Sequence, residues 1–545
     1  MRIGRIIDVT GSKIIGELEA GVDELERVFA GRNYAVGQVG SMVRIDSGDR
    51  YIFGVLTRVR LVEDESKKTL LAGRSESQTR KPVEIELMGQ GLRTGSGATD
   101  FVFERGISAY PLPGQSIYVA TIEELQRVYD RPDKATIKVG SVSQAQEIPV
   151  HLMQDDLVGK HFAVLGTTGS GKSCAVTLLL QRMIEEYPHA HVVLLDPHNE
   201  YPSAFGEHAE LVDPTTMDIP HWLLNFEETI ELFVGQSHEA PIAETNILKV
   251  ALLDARKAVT QLQVDKSKVT VDTPMPYKLG DLIKQIVLAK HRALGPEQEP
   301  YDRLLHKIDT LKNDKRFGFL LKDDSSVKDT LVDMLSQYLR VPAHRKPISI
   351  IDLSGVPSDV VDVVVSVLCR TIFDAALWNP NRRDIPVLVV CEEAHRYAPR
   401  GKDASFLPTK RALARIAKEG RKYGVGLALV TQRPSELDES IMSQCNTIIA
   451  LRMSNEQDQT FVQKTLPDGA NSLVDTLPTL RTREALIVGE GTAVPVRVLL
   501  DRIPEDKRPR SADVPFAEAW FTEIRNNDAL RNTVDYWREQ RRVEE

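Results

Sequence analysis

One stretch constrains this chain more than any other: Gly166-Thr-Thr-Gly-Ser-Gly-Lys172-Ser173, set directly behind the apolar run Phe162–Leu165. It satisfies G-x-x-x-x-G-K-[ST], and the residues behind it, Ala175–Ile184, have helical spacing. Strand, glycine-rich turn and helix therefore come in the order a phosphate cradle requires. Glycines let successive backbone N–H groups turn inward, and the helix behind them aims its positive end at the bound anion. Gly166, Thr168, Gly169, Ser170, Gly171, Lys172, Ser173 and Cys174 are the expected nucleotide contacts. Lys172 is expected to reach the β- and γ-phosphates and the Ser173 hydroxyl to ligate Mg²⁺, so ATP and Mg²⁺ are the expected cofactors.

At 545 residues there is material for three or four domains. The composition, 42% hydrophobic and 27% charged, is that of an ordinary globular protein. The N-terminus lacks the apolar core of a signal peptide, and runs such as Val360–Leu368 are too short to span a bilayer. Cys174, Cys369, Cys391 and Cys445 form no C-x-x-C pair, which suits a reducing compartment. A cytoplasmic protein without a membrane segment is expected. The formal net charge of −9 argues against a broad nucleic-acid-binding surface. One segment departs from it: between Arg396 and Lys422 nine basic residues, Lys402 among them, face only Asp403 and Glu419, a local charge of +7.

Residues 1–145 alternate in short runs separated by Gly, Asp and Ser, the pattern of a small β-barrel or sandwich. The runs are 1–9, 13–18, 41–45, 51–59, 83–88 and 116–120, with Glu63–Lys81 and the glycine-rich Gly89–Gly97 read as loops. From residue 146 strands alternate with helices, the signature of a mainly parallel α/β sheet. Core strands are expected at 162–165, 192–195, 348–353, 387–390, 426–431, 447–452 and 485–488. The division is 146–219 and 345–500 for the two parts of the core, 220–344 for a helical insertion, and 501–545 for a tail with two amphipathic helices.

A P-loop needs an acidic strand end beside it. Val387-Leu-Val-Val-Cys-Glu392-Glu393-Ala-His395 supplies one, at the strand end where ligands bind in such sheets. Glu392 stands at the Mg²⁺ position and Glu393 where a general base for water belongs, the alternative being that the two carboxylates are a solvated strand end. The strand Gly426–Thr431 continues into Gln432-Arg433-Pro434, so Gln432 is either a sensor of the γ-phosphate or a plain strand-to-turn ending. Asp196, His198 and Glu200, behind the second core strand, either organise the metal and couple the site to its surroundings or form a simple loop. Arg411, Arg415, Lys418 and Lys422 recur at i, i+4, i+7 and i+11, one stripe of a helix that serves catalysis, binds nucleic acid or is a solvated face.

In combination these elements resemble the HerA/FtsK branch of P-loop translocases, and specifically HerA-type ATPases. Asp196-Pro-His-Asn-Glu200-Tyr201 looks like that family's D-P-H-x-E-Y motif, Glu392-Glu-Ala-His395 like its E-E-A-H box, and Ile416–Gly424 through Gln432-Arg-Pro-Ser435 like its helix-to-strand passage. The N-terminal region, with Phe103-Glu-Arg-Gly-Ile-Ser-Ala-Tyr-Pro111, resembles its HAS barrel. The resemblance implies a RecA-like α/β core preceded by a β-barrel, and a homo-oligomeric ring, a hexamer, with ATP sites between subunits. It implies a trans-acting arginine, for which Arg421 is the candidate with Arg433 and Arg452 behind it. It also implies double-stranded DNA in a central channel and a separate nuclease or other effector docking on the barrel, in DNA repair or antiviral defence. A ring that chiefly scaffolds an effector, and a secretion or conjugation motor on the same core, are the alternatives.

Overall fold

The computed structural model describes the chain except residues 20–25, 30–31, 64–78, 96, 98, 215, 218, 236–240, 322–326, 382–383, 402–405, 467–470, 511–515, 522–526 and 540–545. Near the N-terminus, strands Arg2–Thr10, Lys13–Leu18, Met42–Ser47, Arg50–Val59, Pro82–Arg93 and Ser116–Val119 pair antiparallel around a closed barrel. Their inward residues, Ile3, Ile14, Ile45, Ile52, Leu56, Ile85 and Ile117, are buried together. Closure leaves no long unpaired edge.

The glycine-rich segment expected to be a loop is in its first half strand, because Pro82–Arg93 continues through Gly89 and Gly91. A Cβ on Gly89 would lie 2.4 Å from the Phe103 ring, and one on Gly91 2.5 Å from Phe101. These glycines make room for aromatic rings on the neighbouring strand Phe101–Arg105, and composition alone cannot tell that use from a turn. Val62–Glu63 pairs with Thr79–Arg80 inside the other expected loop, most of which lies outside the described residues. A helix, Ile122–Val128, follows the barrel strands; Thr121 and Glu124 close a capping box at its start.

The central sheet has eleven strands among the described residues. Seven are parallel, in the order 447–450, 162–165, 425–431, 387–391, 191–196, 348–352, 209–212. Beyond Thr447–Ala450 the sheet continues antiparallel through Glu484–Gly489, Val496–Leu500, Thr136–Val142 and Ala145–Met153. The strand Thr136–Val142 therefore belongs to this sheet, although it precedes residue 145. The inner parallel strands are covered on both faces, which is why their sequences are largely apolar, whereas the edge strand Ala209–Val212 carries Glu210 and an exposed Leu211. Phe162 and Val164 pack with Val176, Leu179 and Leu180 of the helix Lys172–Glu186. Ala163 and Leu165 face the opposite layer, with Val364 and Leu413 of helices Ser358–Trp378 and Leu407–Tyr423.

Between the two parts of the core lie helices Phe226–Phe233, Ile242–Ala258, Leu279–Lys290, Glu299–Asn313 and Leu331–Leu339. A buried charge pair ties them to the core. Glu228, 1% exposed, accepts hydrogen bonds from Arg370 Nε at 3.0 and 3.1 Å and from the Ser366 hydroxyl at 2.8 Å. Arg370 also donates to the Leu223 carbonyl at 2.6 Å. Exposed ion pairs contribute about 0–1 kcal/mol, but orphaning one partner of a buried pair costs about 3–5 kcal/mol. Residues Arg510–Glu545 form a separate unit, with helices Phe516–Phe521 and Asp528–Glu539.

Two outcomes follow from the buried charges. Glu228→Ala is expected to lower the thermal midpoint by the equivalent of about 3–5 kcal/mol, read by circular dichroism. Glu484 is buried, which opposes its ionisation, yet hydrogen bonds from Arg481, Arg497 and Ser143 hold its carboxyl well below the ordinary 4.5. A depressed folded pKa means stability that is complete above the unfolded value and is lost as the pH falls towards the folded one. Glu484→Gln is expected to lower the midpoint at pH 7 and to flatten its fall below pH 4.5.

Candidate active site

The strand Phe162–Leu165 ends at the same edge of the sheet as its two neighbours, since Leu165 pairs with Thr431 on one side and Ala450 on the other. The glycine-rich turn rises from that edge and is pinned to it. Thr167 donates its N–H and its hydroxyl to the Arg452 carbonyl, both at 3.1 Å, and Ser170 N–H bonds the Thr167 carbonyl at 3.0 Å. Gly169 and Gly171 have φ of 73° and 96°, a left-handed conformation that aims backbone N–H groups into the concavity. Helix Lys172–Glu186 starts immediately afterwards, with Lys172 buried and Ser173 and Cys174 half-buried on its first turn. Thr168, on the crest of the turn, donates its hydroxyl to Gln432 Oε1.

The strand Val387–Cys391 lies two strands away, with Val425–Thr431 between. Glu392 and Glu393 emerge from its end and are 3% and 6% exposed. Burial pushes the Glu392 carboxyl up to about 8; Lys172 pulls it down and Glu393 pushes it further up. Asp196, at the end of the next strand, is fully buried, accepts N–H bonds from His198 at 3.2 Å and Tyr201 at 3.1 Å, and is raised by burial. Glu200 is half-buried and His198 exposed. Burial and the carboxylates of Glu392, Asp196 and Glu200 push the Tyr201 phenol well above 10.

Lys172, Glu392, Glu393, Gln432, Asp196 and Glu200 thus share one edge of the sheet. Arg421 does not. It is exposed on the last turn of helix Leu407–Tyr423, before the first residue of the strand whose last residue adjoins the cradle. A seven-residue strand spans about 20 Å, so Arg421 sits at the far edge from its own P-loop. Arg433 and Arg452 lie at the near edge, Arg433 paired with Glu436 at 2.9 Å. Of the basic stripe, Arg411 is paired with Glu227, and Arg415 with Asp374 at 3.3 Å while lying over the Phe373 ring at 4.4 Å. Lys418 and Lys422 are exposed. Lys402 and Asp403 lie outside the described residues.

Three neighbours of the site carried no assigned role in the sequence. Asp352 ends the strand Ile348–Asp352 in register with Asp196, and an acidic residue closing a five-residue buried run was the available signal. Tyr201 and His395 stand inside the D-P-H-x-E-Y and E-E-A-H motifs, but only the fold brings their side chains to the carboxylates.

The arrangement fits a metal–nucleotide complex on its own terms. Glu392 Oε2, Glu393 Oε2 and the Ser170 hydroxyl are buried without a hydrogen-bond partner among the described residues, at the mouth of a cradle of backbone donors, although Glu393 Oε2 has the His395 ring 3.2 Å away as an electrostatic neighbour. Buried carboxylates beside a lysine and a turn of inward N–H groups are the donor set that a cation and its phosphates need.

Fold and cradle define the class: a P-loop ATPase, an ATP-hydrolysing enzyme. Residues 137–372 match the family described as the central domain of helicase HerA. A probable helicase of Methanocaldococcus jannaschii is 28% identical over 439 residues, 77% of this chain and 77% of its own. The DNA double-strand break repair helicase HerA of Pyrococcus furiosus is 28% identical over 72% of this chain and 74% of its own, and that of Sulfurisphaera tokodaii 28% over 75% and 77%. Among solved structures, VirB4 of Thermoanaerobacter pseudethanolicus overlays with a TM-score of 0.49 at 16% identity, covering 69% of this chain and 99% of that one. The chain is thus similar to the HerA helicases, in its central region by the family model and over about three quarters of its length by these relatives.

Gly171→Ala tests the cradle. Holding a Cβ in a left-handed φ costs about 1–3 kcal/mol, so the unliganded turn is expected to relax out of the cradle conformation and meet that cost only on binding: affinity for a fluorescent ATP analogue falls about tenfold or more while the thermal midpoint changes little.

Proposed function

We propose that this protein couples Mg²⁺-dependent ATP hydrolysis to movement along double-stranded DNA, as a homo-oligomeric ring, a hexamer, in the cytoplasm. Its carrying observation is the meeting of Lys172, Glu392, Glu393 and Gln432 at one sheet edge, in a chain whose relatives are named DNA repair helicases. The loop amides of Gly166, Thr168, Gly169, Ser170 and Gly171, with Lys172, Ser173 and Cys174, hold the nucleotide. Ser173 and Glu392 would hold Mg²⁺, which supplies charge neutralisation at the phosphate oxygens. Glu393 takes the proton of the attacking water as its oxygen bonds to the γ-phosphorus and the bond to the ADP oxygen breaks. Asp196, His198 and Glu200 couple the site to its surroundings.

Arg421 at the far edge suits a finger that acts on a neighbour's site, a contact worth about 10³–10⁵ in rate; Arg433 and Arg452 are the alternates. Lys418 and Lys422 are the first candidates for phosphate-backbone contact. Arg411 and Arg415 complete the stripe, although both already pair with carboxylates. That pairing favours a second reading, in which the ring assembles an effector and pumps little DNA. In either reading the N-terminal barrel is the docking place for a separate nuclease or other effector, in DNA end processing or antiviral defence. No helix among the described residues is long and apolar enough to cross a membrane.

The deciding measurement is the ATPase rate alone and with linear duplex DNA. Duplex is expected to stimulate hydrolysis, with Lys172→Ala and Glu393→Ala inactive in both conditions. Hydrolysis indifferent to DNA would support the scaffold reading. Lys418→Glu/Lys422→Glu is expected to weaken duplex stimulation and to reduce its dependence on salt, because the log–log salt slope shrinks by about 0.9 for every phosphate left without its lysine.

A further inference from the structure

His395 has no part in the chemistry described so far, yet it is the side chain that folds back onto the reacting edge. Its Nδ1 lies 3.2 Å from Glu393 Oε2 and 3.0 Å from the Thr431 hydroxyl. Three features make this more than a packed ring. Glu393 has a φ of 52°, a conformation that costs a non-glycine residue about 1–3 kcal/mol and persists only where surrounding contacts enforce it. The turn that follows, closed by Arg396 N–H on the Glu393 carbonyl at 2.9 Å, is what returns the imidazole to the carboxylate two residues before it. And the Thr431 hydroxyl accepts the Arg433 N–H at 3.0 Å, which leaves its second lone pair to accept from the ring.

Burial holds the His395 ring below its ordinary 6.5, against the pull of Glu393, so at neutral pH it carries one ring proton. Facing a carboxylate oxygen and a hydroxyl, Nδ1 is the nitrogen where that proton does work: as a donor it is attracted to both, whereas a bare lone pair would repel the carboxylate. Thr431 is followed by Gln432, whose side chain accepts from Thr168 on the phosphate cradle. A continuous path of contacts thus runs from the cradle through Gln432 and Thr431 to His395 and Glu393.

We propose that His395 is the positioning residue of the general base: through Nδ1 it fixes the heading of the Glu393 carboxylate and ties it to the strand end that touches the phosphate cradle. This rests on the reading of Glu393 as the base. A carboxylate displaced by about 1 Å loses about 100-fold in rate, so His395→Ala is expected to lower kcat by about 100-fold with KM for ATP nearly unchanged.

The sharper test compares two conservative variants in the full-length protein. Asparagine places an amide N–H where Nδ1 stands, and glutamine places one where Nε2 stands. His395→Asn is expected to recover most of the lost kcat and His395→Gln little, with affinity for a fluorescent ATP analogue the same in both. Thr431→Ser should keep the rate and Thr431→Val lower it. The proposal is overturned if His395→Ala keeps the wild-type kcat, or if glutamine restores it as well as asparagine. If alanine does not fold, the asparagine–glutamine contrast still decides. Glu393→Gln separates the two layers. An inactive Glu393→Gln with a fully active His395→Ala sinks only the role of His395. A fully active Glu393→Gln removes the base itself and the proposal with it.

Discussion

Parallel pairing fixes the direction in which every strand of the central sheet ends, and the rest of the site depends on that. Leu165 pairs with Thr431 and Leu195 with Cys391, so strand pairing by itself carries the P-loop, Gln432, the paired glutamates and Asp196 to one edge, before any contact among their side chains is counted. Adjacent strands lie about 4.8 Å apart, which sets the glutamate strand about 10 Å from the P-loop strand. Lys172, on the first turn of the helix, is near enough for its charge to lower the proton affinity of Glu392 across that gap, and the strand between delivers Gln432 midway.

Buried charge is used in two ways in this molecule, and hydrogen-bond satisfaction separates them. Glu228 and Glu484 are buried and fully engaged, by Arg370 and Ser366 in one case and by Arg481, Arg497 and Ser143 in the other. They join segments far apart in sequence, and removing a partner destabilises the fold. Glu392 and Glu393 are as deeply buried but keep an oxygen without a hydrogen bond. Burial then appears as a raised proton affinity at Glu392, not as a structural tie. Such carboxylates have the free acceptor capacity that the proposed cation and reacting water would use, and the strained backbone at Glu393 lies at the same place.

Much of this was legible from residue order. The P-loop, the acidic strand and the helix carrying the basic stripe announce themselves because apolar runs of four to seven residues cannot be anything but covered strands when turns and helical spacing flank them. Where glycine marks close approach instead of a turn, as at Gly89 and Gly91, the reading fails, since only the facing Phe101 and Phe103 reveal the reason. Thr136–Val142 likewise gives no local sign that its partner is Val496–Leu500, more than 350 residues away.

The sequence by itself determined the chemistry available: a phosphate cradle at Gly166–Ser173, two adjacent carboxylates closing a buried strand, and a polar residue at the end of another. Periodicity and residue type are local properties, and these elements are local. Tertiary structure alone decided which of them meet. It set Gln432 between the cradle and the glutamates, turned His395 back onto Glu393, occupied Arg411 and Arg415 with Glu227 and Asp374, and left Arg421 at the opposite edge of the sheet. The physical reason is that strand order and the burial of charge are settled by contacts between segments far apart in the chain, and no window of sequence contains both partners.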